Sequence, residues 1–180
     1  MQYDPADLER VRKLVRQYPS ALLWTHKTYI DGFVLPKILF DNNFPMPHFF
    51  GGANLNIPIL GFFLRRAGGI FIRRSFQDNE VYKLSLKQYI GYLMEKRFPM
   101  TWSFEGTRSR LGKLMPPKYG LLKYVLEGAH HAGSQDIHII PVSVSYDLVR
   151  DAEEYAREQS GTPKAPESVG WMVRYIKSLA

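Results

Sequence analysis

Cysteine is absent from the 180 residues, which excludes disulfides, thiolate zinc sites and a cysteine nucleophile and is compatible with a reducing compartment. No run approaches the ~20 apolar residues a helix needs to cross a bilayer, and the first residues lack the apolar core of a secretory signal. The chain as read is therefore expected to lack a transmembrane segment. Internal repeats, low-complexity tracts and nucleic-acid motifs are missing too, so a pI near 9.6 is not matched by any module that would use it on DNA or RNA. No nucleic-acid partner is expected, and no metal or prosthetic group is implied.

What is present is enough for a packed domain: 45% of the residues are hydrophobic and 14% aromatic, ample for one core at this length. The net charge of +7 is unevenly placed. Residues 61–120 carry twelve Lys and Arg against four acids, a net of +8, which leaves 12 against 13 elsewhere. That middle third includes Arg65, Arg66, Arg73, Arg74, Arg108, Arg110, Lys113 and Lys118, a set suited by charge to an anionic ligand, an anionic lipid surface or nucleic acid. Lys83, Lys87, Lys96 and Arg97 fall on one helical stretch and read as a solvated face.

Apolar periodicity alternates between two kinds of element. Leu8, Val11, Leu14, Val15 and Tyr18 follow helical spacing after Pro5, a residue favoured at helix starts. Strand-like segments occur near 21–25, 48–50, 70–73, 100–104 and 137–145, with helical candidates near 32–41, 58–66, 79–97 and 119–131. The expected class is α/β, a single domain with a mixed, largely parallel sheet flanked by helices. Residues 1–160 are expected to form one domain. Gly161 to Pro166 reads as a linker, and Val169 to Leu179 as the uncapped start of a further helix, so the chain is expected to be a piece of a longer protein.

Four stretches carry chemistry. Trp102-Ser103-Phe104-Glu105-Gly106-Thr107-Arg108-Ser109-Arg110 is a strand-like run ending in a carboxylate, a bend at Gly106 and two guanidinium groups suited to phosphate. Leu22 to Gly32 ends another strand-like run with His26 five residues before Asp31. Because Phe33 to Leu39 can form a helix, Asp31 lies near a positive helix start. A carboxylate there can fix the imidazole tautomer and leave the other ring nitrogen as a base. His131 and Asp136 share this spacing, but His131 ends a helix stopped by Gly133, so that pair reads as capping and solvation. Gly68 to Phe76 joins a glycine pair, a short β run and Arg73-Arg74, whereas Ile137 to Tyr146 is a β-branched strand broken by Pro141, which suits a bulge or a sheet edge. Separately, Phe62-Phe63-Leu64-Arg65-Arg66 puts apolar and basic groups side by side, as a lipid-interface contact or as a buried helix with a basic end.

In this order the four stretches resemble the blocks of the glycerolipid (HxxxxD) acyltransferases: His26 to Asp31, Gly69 to Arg74, Glu105 to Arg110 and Ile139 to Val144. The Arg73-Arg74-Ser75-Phe76 continuation and the second arginine at 110 are similar to the glycerol-3-phosphate and dihydroxyacetone-phosphate acyltransferase branch. The lysophosphatidate branch usually has Phe-Pro where this chain has Ser103-Phe104. The resemblance implies a glycerol-3-phosphate acyltransferase-like fold and transfer of an acyl group from acyl-CoA or acyl carrier protein, as co-substrate, to glycerol 3-phosphate in phospholipid synthesis. Alternative acceptors are lysophosphatidate and dihydroxyacetone phosphate, and the non-enzyme alternative is a basic lipid-surface binding protein. His26 would be the base and Asp31 its partner. Arg108 and Arg110, with Arg73 or Arg74 and with Lys27, would hold the phosphate. By the resemblance, Glu105, Gly106 and Thr107 belong to the acceptor loop and Pro141 to a block linked to the acyl donor. The implied setting is peripheral, on the cytoplasmic face of an anionic membrane.

Overall fold

The computed structural model describes residues 2–73, 75–76, 78–109, 112–134, 136–147, 152–161, 170, 173–175 and 177, and of 152–154 the backbone alone. Arg74, Arg110 and the expected linker beyond Gly161 lie outside the described residues. Of the helical pattern from Val169 to Leu179, residues 170, 173–175 and 177 are helical.

The order of elements is α1 Pro5–Gln17, β1 Ser20–Trp24, α2 Asp31–Asp41, β2 His48–Gly52, a 3₁₀ turn at Ala53–Leu55, α3 Leu60–Arg66, β3 Gly69–Ile72, α4 Glu80–Glu95, β4 Met100–Ser103, α5 Tyr119–His131, β5 His138–Val142 and α6 Ala152–Gln159. Local chemistry explains several boundaries. Asp4 caps α1 by accepting from the Ala6 N–H at 2.8 Å, with Pro5 in the first turn, where its missing donor costs nothing. Helix α5 ends as Gly133 takes a left-handed φ of 68°, which glycine adopts without strain. The strand expected over 137–145 stops at Val142, so residues 143–147 leave the sheet and cross toward its neighbours. Helix α6 has no counterpart in the apolar pattern. Its residues are mostly polar, and among the side chains described Tyr155 and Glu158 mark a buried side.

The five strands form one sheet in the order β3-β2-β4-β1-β5. Every pairing is parallel. Strand β5 is an edge, which accommodates Pro141 because a proline has no N–H to give an outer neighbour. Alternation along β1 fills two cores. Ala21 and Leu23 pack with Met100 and Trp102 under α4 and α5, through Ile90, Leu93, Val125 and Ala129. Leu22 and Ile140 face Val15, Leu35 and Leu39 of α1 and α2. This is the period-two pattern of a sheet covered on both sides. Gly91 and Gly128 let α4 and α5 approach closely: a Cβ on Gly128 would lie 3.1 Å from the Gly91 nitrogen.

Chain direction locates the site. From β1 the chain runs through α2 on one face toward β2, whereas from β4 it runs through α5 on the other face to β5. Connections leaving adjacent parallel strands in opposite directions open a crevice at their carboxyl ends, where ligands of such sheets gather. Register keeps the ends of β4, β1 and β5 level, with Trp24 beside both Ser103 and Val142.

Candidate active site

Two residues beyond that level row stand His26, after β1, and Glu105, after β4. The imidazole Nδ1 of His26 lies 3.1 Å from Oδ2 of Asp31. Asp31 is the first residue of α2 and is almost wholly buried. The same Oδ2 accepts the Lys27 N–H at 2.5 Å and the Thr28 N–H at 2.9 Å. Oδ1 accepts from the Tyr146 hydroxyl. Burial by itself would push this carboxyl up, but the hydrogen bonds from His26, Tyr146, Thr28 and Lys27 outweigh it and hold the group below its ordinary range. An ionised carboxylate only accepts, so the neutral ring beside it carries its proton on Nδ1 and its lone pair on Nε2. The ring is one-quarter exposed and meets Trp24 edge to face, with centroids 5.0 Å apart.

The loop after β4 fixes the backbone of His26 rather than its ring. The buried Glu105 carboxylate accepts the His26 N–H at 3.1 Å through Oε2 and the Met115 N–H at 3.2 Å through Oε1. Ser109 closes the other side by donating its N–H to the His26 carbonyl at 2.7 Å. Gly106 makes the bend at φ 65°, and a Cβ there would come within 2.9 Å of the Lys118 side chain. Glu105 and Gly106 thus shape this loop, while Thr107 is exposed on it.

Arg108 is nearly buried. Its guanidinium lies 3.7 Å from the centre of the Tyr29 ring and 4.7 Å from that of Tyr155, and Nη2 is 3.6 Å from Oε1 of the buried Glu158. Tyr155 and Glu158 are three residues apart on one side of α6, and the Tyr155 hydroxyl also donates to the Lys27 carbonyl. Tyr29 in turn meets the ring of Tyr175 edge to face at 5.4 Å. The Lys27 ammonium turns away toward the Val144 carbonyl, at 2.9 Å.

The remaining candidates spread along the same edge. Arg73, just beyond β3, is exposed. Its N–H bonds the Tyr82 hydroxyl at 3.1 Å, and its guanidinium lies 5.2 Å from the centre of the Tyr82 ring. Three strand steps separate β3 from β1, roughly 14 Å at the usual interstrand spacing. Pro141 pairs with Leu23, behind the row of strand ends, and is exposed on the outer strand. Tyr29, Tyr146, Tyr155 and Glu158 had no role in the sequence reading. The i, i+3 pair of Tyr155 and Glu158 is the one available signal for α6, and Tyr146 ends the Ile137–Tyr146 stretch, two residues past the fourth block. His131 and Asp136, the pair with matching spacing, are both exposed, one as the last residue of α5 and the other beyond it. Among the described residues no three His, Asp or Glu side chains converge as a metal site, and no helix is long and apolar enough to cross a membrane.

The chain belongs to the Acyltransferase family, whose model matches residues 7–145. It is 36% identical over 174 residues to "Putative acyltransferase plsB1" of Mycobacterium bovis and of Mycobacterium tuberculosis, covering 97% of this chain and 28% of those proteins. It is 33% identical over 177 residues to "Glycerol-3-phosphate acyltransferase" of Haemophilus influenzae, covering 98% of this chain and 22% of that protein. The chain thus spans about a quarter of the length of the curated relatives it matches.

Proposed function

We propose that this chain is the acyl-transfer region of a glycerol-3-phosphate O-acyltransferase acting at a membrane surface. The single observation that carries the reading is the contact of His26 Nδ1 with the buried Asp31 carboxylate. It leaves Nε2 to take the proton of an alcohol as the alcohol oxygen attacks a thioester carbonyl. The new ester C–O bond forms, the C–S bond breaks, and the proton passes from the imidazolium to the departing thiolate. No acyl-enzyme is needed. Asp31 keeps the ring oriented and favours its transient positive charge.

Glycerol 3-phosphate is the acceptor favoured by the name of the Haemophilus influenzae relative and by the arginine-rich edge of the sheet. Guanidinium groups fit a phosphate and would convert its binding into orientation of the attacking hydroxyl. Arg73 is exposed on that edge, and Arg74 and Arg110 are assigned the same part. For Arg108 to join them, the phosphate must take the place that Glu158 now holds. The donor is acyl-CoA or acyl carrier protein, both anionic and matched to the +8 of residues 61–120. The site belongs at the cytoplasmic face of an anionic membrane, where a lipid product would be released.

Release of free thiol is the direct test, using a panel of acyl-CoAs with glycerol 3-phosphate, dihydroxyacetone phosphate and lysophosphatidate in separate arms. Glycerol 3-phosphate should consume the thioester fastest, and His26→Ala should lower turnover at least ~100-fold in a folded protein. Turnover preserved in that variant would remove His26 as the base. Vesicle binding without thiol release in any arm would favour the non-enzymatic lipid-surface reading.

A further inference from the structure

The run from Ile57 to Arg66 lies outside the site. Ile59 adopts φ 67° and ψ −63°, and the Leu60 N–H bonds the Pro58 carbonyl at 2.8 Å. This is a three-residue γ-turn of the uncommon positive-φ form, a conformation β-branched residues avoid. Packing does not compensate, because the Ile59 side chain is 68% exposed. One turn further on, Phe62 and Phe63 are 52% and 62% exposed, with rings edge to face at 5.4 Å. Three large apolar side chains thus stand together in water, one of them on strained backbone. Such an arrangement points to a partner.

Charge and topology identify its kind. The Arg66 guanidinium lies 3.5 Å from the centre of the Phe62 ring, and Arg65 is anchored beside it by the side chain of Asn56. Ile59, Phe62, Arg65 and Arg66 help line an open cavity of about 360 Å³. Strand β2 leaves the sheet at its carboxyl edge and reaches α3 through residues 53–59, so Ile59 and the first turn of α3 lie on the edge that holds His26. Aromatic and aliphatic side chains ringed by guanidinium groups match the headgroup boundary of an anionic bilayer. A second copy of the chain would set like charges against each other.

We infer that Ile59, Phe62 and Phe63, with Arg65 and Arg66, form a docking patch that enters the interface of an anionic bilayer and turns the His26 edge toward it. This names the contact behind the proposed membrane setting and rests on that reading, although binding can be measured without turnover.

The test is co-sedimentation of the whole chain with phosphatidylcholine vesicles, with and without phosphatidylglycerol. Binding should require phosphatidylglycerol and weaken with salt. Phe62→Ser with Phe63→Ser should reduce partitioning at least ~10-fold. Ile59→Gly separates docking from folding. Glycine accepts this backbone without strain, so thermal stability should hold or rise while vesicle binding falls several-fold. Both variants should keep wild-type thiol release from a water-soluble short-chain acyl-CoA without vesicles. Unchanged partitioning of either folded variant overturns the patch. So does loss of vesicle-free turnover, which would put these residues in the reaction, or a dimer dissolved by the same substitutions while vesicle binding persists. If no acceptor released thiol from the wild-type chain and the variants still lost binding, the acyl-transfer reading would fail and the patch would stand.

Discussion

The buried carboxylate of Glu105 accepts the backbone N–H of His26 at 3.1 Å. A residue 79 positions away thereby holds the main chain of the proposed base. Both Glu105 oxygens face N–H donors, so an amide in this place sets one donor against another. Glu105→Gln should cost about 1–3 kcal/mol of stability and lower kcat, with KM for glycerol 3-phosphate nearly unchanged. Denaturant unfolding and steady-state kinetics check the two effects. A variant with a raised KM and a normal kcat would make Glu105 a substrate ligand instead.

Asp31 ties stability to pH. Its carboxyl is held below the ordinary value of 3.8, so the folded state binds this proton less readily than the unfolded chain. The contribution is therefore complete above about pH 4 and is lost as pH falls through the depressed folded value. Tyr146→Phe removes one donor to the carboxylate and narrows the gap between its folded and unfolded values, so less stability should be lost on acidification than in the wild type. Asp31→Asn should flatten the same region of the profile. Chemical denaturation across pH 2–6 measures both, and parallel curves for all three proteins would remove Asp31 from the acid response.

Arg108 separates flat stacking from charge. Lysine keeps the charge but cannot lie as a plane between Tyr29 and Tyr155 while reaching Glu158. Arg108→Lys should loosen α6 and raise KM for glycerol 3-phosphate about tenfold or more, with a smaller effect on kcat. Glu158→Gln leaves Arg108 and frees it from an ion pair, so it should lower that KM. If both variants change thermal stability and leave KM alone, Arg108 is a structural fastener for α6.

His131 is a built-in control. It lies exposed at the end of α5, with the same distance to an aspartate along the chain as His26. His131→Ala should retain at least about half of wild-type thiol release, since exposed substitutions away from a site are nearly neutral. Loss of turnover in this variant alone would mean that the wrong histidine had been chosen.

Much of the framework is legible in short windows, for physical reasons that can be named. Alternating apolar residues in β1, the Asp4 and Pro5 start of α1 and the glycine stop of α5 are local devices, and they carry their signals within a few residues. The His26–Asp31 pair is also local, since the segment after β1 leads directly into α2, whose first residue is Asp31. Helix α6 escaped because its polar face dominates and its one buried aromatic gives no period. The Phe62–Arg66 run read equally as core or surface, since a run of five cannot show which side it buries. Its two phenylalanines are largely exposed.

Sequence by itself determined roughly where the strands lie, that His26 and Asp31 come close together between a strand and a helix start, and that basic charge concentrates in the middle third. Tertiary structure alone decided that β4 lies beside β1 in a register that sets Glu105 against His26, that Tyr146 crosses 115 positions to bond Asp31, and that α6 encloses Arg108. Local propensity acts over one turn or one strand. Strand order and register instead follow from the burial of two separate cores on opposite faces of a single sheet, a property of the whole chain that no window contains.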